Sequence, residues 1–280
     1  MIKDIIRSLV EANKPVYTRI GFESTDDWAS IFNPPDAEVF QTKKFDPLVN
    51  FLIKFKVNGL IINSADIYNI GVDAVAQKIS DFVCEIKKKV DKLIVGLMFS
   101  GSFYESFTNI TLFDFTITNK VLDLYIIDWS TLNSCDKDAV KTGISPVTST
   151  NPNTITIEKV TCSVTNSNME KSKIYGMVQI VPIIPLNLLS ADATYGITTY
   201  SIYCSSTDKA NSSQWCTNPS QLSYDQGVHA KKFYAGIVLD QLDTDDYESK
   251  CECGPFPVTN IVLDGWSGCP FKACPKLDQN

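Results

Sequence analysis

The chain has 280 residues, 44% hydrophobic and 20% charged, which excludes a disordered polar chain and is long enough for one α/β domain, since barrels of about 250 residues commonly form a single domain. Its 25 basic and 32 acidic residues leave a net charge of −7. With no basic cluster beyond Lys87-Lys88-Lys89, which reads as a solvated helix face, nucleic acid is excluded as a partner.

Residues 1–13 have helical periodicity but no continuous apolar core and no small-residue cleavage site, so they are not a signal peptide, and no run of the chain is apolar enough to suggest a membrane span. Residues 16–20 form the first candidate strand. In residues 45–66, FDPLVNFLIKFKVNGLIINSAD, Phe45, Leu48, Val49, Leu52 and Phe55 fall on one helical face. That helix gives way at Asn58-Gly59 to a buried strand over 59–63. A second helix spans 72–90, with Val72, Val75, Ile79, Phe82, Val83, Ile86 and Val90 on its buried side and Cys84 expected there too, unpaired. Further strands are expected at 93–99, 121–127, 174–181 and 233–239, with helical patterns between several of them. Such alternation means parallel strands with outer helices. The Ser/Thr/Asn-rich stretch 145–154 reads as a surface loop, and there is no internal repeat.

Nine cysteines, eight of them from Cys135 onward, point to an oxidising compartment and an extracellular protein. Two sequons, at Asn109 and Asn211, agree with this as glycosylation sites. A chain of this kind without an export signal suggests that its beginning is missing. Cys251-Glu252-Cys253 and the Cys269 to Cys274 pair lack zinc-finger spacing, and His229 is the only histidine, expected at the surface, so no metal and no cofactor is implied. There is no GxSxG elbow, Walker loop or HExxH helix.

The segment 45–66 resembles the family 18 glycoside hydrolases, the chitinases and chitinase-like proteins, in which a helix FxxxVxFLxxyGF leads to a strand DGxDxDxE. Against that motif Asn58, Ile61 and Asn63 stand where the family has aspartates, and Ala65 stands where it has the catalytic glutamate. Other segments are also similar: KPVYTRIGF at 14–22 to KvllSIGGW, LSYD at 222–225 followed by Lys231 or Lys232 to WvgYDd, and AGIVLDQLDTDD at 235–246 to GGvMvWSiDlDD. The resemblance implies a TIM-type (β/α) barrel of the chitinase family, incomplete, with about six of eight strands. It covers residues 1–262, N-terminally truncated relative to the family, and leaves 263–280 as a cysteine-containing tail.

By the same resemblance, the tryptophan on which a GlcNAc ring stacks is replaced by Asp240, read as a helix cap or a solvent-facing residue, and the acids after it serve turns and helix N-termini. The family's MxYD strand has two registers. With Asp123 as its opening aspartate, its Tyr and Asp fall at Ser130 and Thr131; with Asp128 as its last residue, its Tyr falls at Ile127. The first also aligns Thr142-Gly143 and Ser145-Pro146 with the family's tGxxSP, and the tyrosine is lost in either. Asp128 beside Trp129 remains as a pair able to bond and stack a sugar, although a structural role is the favoured reading. GITTYSIYC at 196–204 is similar to GxxxYxEIC, and the resemblance implies that Cys204 pairs with Cys251 or Cys253. The stretch 183–202 is much shorter than the family's inserted domain, which implies a shallower groove.

Glycoside hydrolysis in this family needs a protonated carboxyl at the leaving oxygen, the substrate's own N-acetyl group acting as nucleophile. Asn63 accepts hydrogen bonds but does not ionise, and Ala65 donates nothing, so a step to which general acid catalysis contributes a factor of about 10² to 10⁴ is missing. The expectation is a secreted, non-catalytic chitinase-like protein, binding chitin or GlcNAc oligosaccharides weakly or not at all, with a protein partner or signalling role open. The alternatives are a chitinase-type hydrolase, as family membership would have it, and an enzyme with relocated chemistry.

Overall fold

In this computed structural model, residues 2–22, 24–63, 72–136, 139–184, 198–206 and 214–278 are described. Six strands form one sheet in chain order: β1 (Tyr17–Gly21), β2 (Gly59–Asn63), β3 (Ile94–Ser100), β4 (Leu124–Asp128), β5 (Ile174–Gln179) and β6 (Gly236–Asp240). The pairs β1–β2, β2–β3 and β5–β6 are parallel. Every strand lies within three residues of its sequence-based expectation at its start and within two at its end. The chain divides into two compact units, 1–126 with 163–174 and 127–162 with 175–280.

In the first unit, α1 (Ile2–Glu11) precedes β1, and α2 (Thr25–Phe32) starts at Ser24, whose hydroxyl accepts the Asp27 amide at 3.1 Å. Trp28, Ile31 and Phe32 are its buried face. Asp36 caps the short α3 (Ala37–Phe40), which passes through a π-helical turn, Gln41–Phe45, into α4 (Asp46–Lys54). Phe45, Val49 and Leu52 are buried as expected, whereas Leu48 and Phe55 are half-buried, Phe55 because it already lies past the last helical residue. In β2, Leu60 and Ile62 are fully buried, as a parallel strand covered on both faces requires.

The helix α5 (Val75–Lys89) buries Val75, Ile79, Phe82, Val83 and Ile86. Cys84 is unpaired but exposed, against expectation. One step of about 100° beyond Val83 carries it off the buried stripe. Lys87 also departs from a purely solvated face: its ammonium lies 2.7 Å from Asp123 Oδ2, which accepts the Val95 amide at the same distance. Phe99 of β3 sits among Phe107, Phe113 and Phe115, with ring centroids 5.5 to 5.9 Å away. Nearby, the Tyr125 hydroxyl of β4 bonds Thr118 and Asn119 beside α6 (Phe115–Thr118).

The second unit is built differently, around two helices in backbone contact and three disulfides. Between β4 and β5 lie α7 (Ala139–Thr142) and α8 (Ile157–Asn166), and α9 (Tyr200–Ser205) follows β5. α10 (Ser220–Phe233) precedes β6, and α11 (Pro257–Ser267) follows it. A Cβ on Gly227 would stand 2.0 Å from the Val262 carbonyl oxygen, and one on Gly265 would stand 2.2 Å from that of Tyr224. Only glycines allow α10 and α11 to approach this closely. Disulfides join Cys135 to Cys216, Cys204 to Cys251 and Cys253 to Cys274. Cys269 is also unpaired and exposed, so Cys84 is not the one unpaired cysteine. Residue 262 falls inside α11, and beyond it Cys274 and Leu277 are buried while Asp278 accepts the Ser220 amide at 2.7 Å.

Two measurements follow from this architecture. Among the described residues the terminal strands β1 and β6 each pair with one neighbour, so hydrogen exchange should find their amides the least protected of the strands and those of β2 and β3 the most; β1 protected as well as β2 would contradict it. Replacing Cys204 and Cys251 together by alanine opens a 47-residue link and should lower stability in urea by about 4 kcal/mol on loop entropy.

Candidate functional site

The carboxyl ends of barrel strands are where this class of fold places its chemistry. In the first unit the relevant strand is β2. The residue just before it, Asn58, is exposed and works at the other end: its Oδ1 accepts the Val16 amide at 2.8 Å while its own amide donates to the Val16 carbonyl at 2.7 Å, clipping the entry of β2 to that of β1. Ile61 is 7% exposed. Its Cδ1 lies over Gly96, 2.7 Å from where a Cβ would stand, and Leu124 crowds the same glycine. Position 61 is therefore an apolar filler of the sheet's face. Asn63 ends the strand half-buried, its amide nitrogen 3.5 Å from where a Cβ of Gly21 would stand. Ala65 lies outside the described residues.

In the second unit, Asp128 ends β4 half-buried, and its Oδ1 accepts the Ser130 amide at 2.6 Å in a tight local turn. Trp129, open to a sugar-stacking role but read first as structural, is 1% exposed, which fits the structural role. A Cβ on Gly176 would stand 2.2 Å from its ring, and Tyr234 meets it edge-on at 4.9 Å. The indole is packed in the core because Gly176 of β5 leaves room for it.

His229, expected at the surface, is buried as well, its Nε2 2.8 Å from the Thr161 hydroxyl, which is 2.9 Å from the Tyr234 hydroxyl. Burial, with Lys232 adding to it, lowers the imidazole pKa from 6.5 to about 4. Burial also pushes the Tyr234 phenol up to about 12. The sequence concealed this cluster because α10 buries a stripe of small and polar residues, Ser223, Gln226, Gly227 and Ala230, that hydropathy does not mark as inward.

Asp240 ends β6 half-buried, its carbonyl accepting the Ile180 amide at 3.0 Å, and it supplies no aromatic platform. Of the acids that follow, Asp243 is exposed, while Asp245 and Asp246 are fully buried. Asp245 accepts the Thr259 amide at 2.8 Å and the Val258 amide at 3.4 Å, capping α11. Asp246 accepts the Ser201 hydroxyl at 2.7 Å and the Cys251 amide at 2.5 Å, holding α9 beside the Cys204–Cys251 bridge. Asn211 lies outside the described residues, while Asn109 is exposed. Among the described residues no group of three or more His, Cys, Asp or Glu side chains could hold a metal ion.

No protein-family model matches this sequence, and no curated protein matches it. Solved structures do. Catalytic domain 2 of Ostrinia furnacalis Group II chitinase superposes with a TM-score of 0.70 at 13% identity, covering 96% of this chain and 82% of that one. The Group IV chitinase of the same organism, in complex with allosamidin, gives 0.73 at 13% identity, covering 96% and 84%. Human YKL-39, described as a pseudo-chitinase with retained chitooligosaccharide binding properties, gives 0.67 at 14% identity, covering 95% and 85%. The fold is thus an incomplete TIM-type (β/α) barrel of the chitinase architecture.

The buried histidine generates a prediction. The unfolded chain takes up the His229 proton as pH falls through 6.5, whereas the folded protein resists until about pH 4, so this contribution to stability is full above pH 6.5 and lost between there and pH 4. Its size is on the order of 3 kcal/mol. Comparing urea unfolding of the protein and of His229→Gln at pH 7 and pH 4.5 should show the smaller acid loss in the variant; equal losses would mean that His229 titrates normally.

Proposed function

We propose that this chain is a secreted, non-catalytic chitinase-like protein with weak or absent affinity for GlcNAc polymers, acting through contacts with a protein partner. The observation that carries the reading is the sequence in and on either side of β2. Asn58, Ile61, Asn63 and Ala65 stand at the sequence positions where the resemblance has three aspartates and the catalytic acid, and Ile61 is committed to packing over Gly96. An amide, an isoleucine and an alanine have no proton to give to a leaving oxygen at neutral pH. Non-catalytic use of this architecture has a precedent among the structural neighbours in YKL-39, the pseudo-chitinase.

Weak binding is supported from the other unit. Asp240 takes the place of a stacking indole, Trp129 is enclosed, and the shortened stretch after β5 leaves less wall for a groove. Loss of an aromatic platform forfeits about 1 to 3 kcal/mol, and with the shorter wall about 3 kcal/mol, a factor above about 10² in affinity. Export is supported by three disulfides, and no helix among the described residues is long and apolar enough to cross a membrane.

The purified protein should release no chromophore from a chitobioside substrate, and Ala65→Glu alone should not create turnover because Ile61 and the absent tyrosine remain. Asp66, the carboxylate next in the chain, supplies the control: turnover that disappears in Asp66→Asn would overturn the non-catalytic reading in favour of a hydrolase. On chitin beads the protein should wash off readily, and retention through high salt would show an aromatic surface elsewhere.

A further inference from the structure

The turn after β3 carries a sequon whose side chains are already bonded to one another. Asn109 closes the 3₁₀ segment Gly101–Thr108 and opens the sequon Asn109-Ile110-Thr111. Its side-chain Oδ1 accepts both the Thr111 hydroxyl, at 2.6 Å, and the Thr111 amide, at 3.1 Å. Its Nδ2 donates to no described residue. The two-residue span of these bonds makes the arrangement local, available to the chain before the fold is complete.

The fold then keeps it accessible. Phe107 and Phe113, each 1% exposed, bracket the turn and pack on Phe99 with centroids 5.9 and 5.6 Å away. The residues between them face out: Asn109 and Thr111 are exposed, Ile110 is 61% exposed and Leu112 43%. The turn also borders a shallow groove of about 390 Å³ formed with Val72, Asp73 and Ala74 ahead of α5. That leaves open space, and two bare apolar side chains, where a saccharide attached to Asn109 would lie.

We infer that Asn109 is an N-glycosylation site and that its first sugar residues cover Ile110 and Leu112 at the edge of this groove. The donor is a lipid pyrophosphate-linked oligosaccharide. Asn109 Nδ2 forms a bond to the anomeric carbon, the bond from that carbon to the pyrophosphate oxygen breaks, the lipid pyrophosphate leaves with the electron pair, and Nδ2 gives up one proton to a base of the transferase. The Thr111 hydroxyl, bonded to Oδ1, positions the carboxamide. The inference rests on export of the chain, as read above.

The full chain, expressed in eukaryotic cells behind a supplied leader peptide, makes the two readings separable, because entry into the secretory path no longer depends on the native destination. Peptide mapping after treatment with an amidase that releases N-linked glycans reads each acceptor by its conversion to aspartate. Asn109 should be occupied in most chains recovered from the medium or the microsomes, retained in Thr111→Ser, and nearly lost in Thr111→Val, which keeps the shape and removes the hydroxyl. Asn109→Gln should expose Ile110 and Leu112, raising the fluorescence of a bound apolar dye. An unmodified Asn109 in chains whose Cys204–Cys251 bridge has formed would overturn the inference while leaving export standing; occupancy undiminished in Thr111→Val would overturn the role of the hydroxyl.

Discussion

A parallel strand in the interior of a sheet has no solvated face, and that constraint governs the part of this molecule where chemistry would be expected. β2 is paired on both sides and has to be apolar or small wherever packing reaches it. Leu60 and Ile62 satisfy this on one face, and Ile61 satisfies it on the other by filling the space that Gly96 leaves. A carboxylate placed in such a strand costs desolvation that only hydrogen bonds or an opposite charge offset. Chitinase-type motifs keep a series of acids there for the sake of catalysis. This chain has the arrangement that packing alone would favour.

The acids that do lie at strand ends have been put to structural use. Asp245 and Asp246 are fully buried, yet each has several donors directed at it: two amides of α11 and the amide of Asp246 on the first, and the Ser201 hydroxyl and Cys251 amide on the second. Their burial is tolerable because backbone and hydroxyl donors replace water. The consequence is positional. The end of β6 is locked to α9, α11 and the Cys204–Cys251 bridge within one unit, and the helix pair α10–α11 is drawn together through Gly227 and Gly265.

Identity of 13 to 14% with structures of the same architecture, together with the lack of any family-model match, shows how differently fold and site are encoded. Packing accepts many apolar residues of suitable size at a given position, so the strand and helix pattern survives extensive substitution. Acid catalysis accepts one kind of group at one place. A sequence can therefore diverge beyond recognition by family models and remain recognisable in three dimensions.

The six strands, the parallel alternation with helices and the buried stripe of α5 were legible in the sequence because period and β-branched runs report burial directly. The identity of residue 65 as alanine was legible too, and what that position does rests on the proposed reading. Tertiary structure decided what each remaining polar or aromatic residue does. His229 reads as a surface residue and Trp129 as structural with a ligand role open; both are enclosed, because Gly176, Thr161 and Tyr234 come from distant parts of the chain to make room and supply partners. Cys84 sits one residue, hence about 100° of helix, from where a pattern of apolar neighbours would put it. Local sequence fixes which face of an element is apolar; whether a polar side chain is satisfied inside depends on donors and space supplied by elements that are neighbours only after folding.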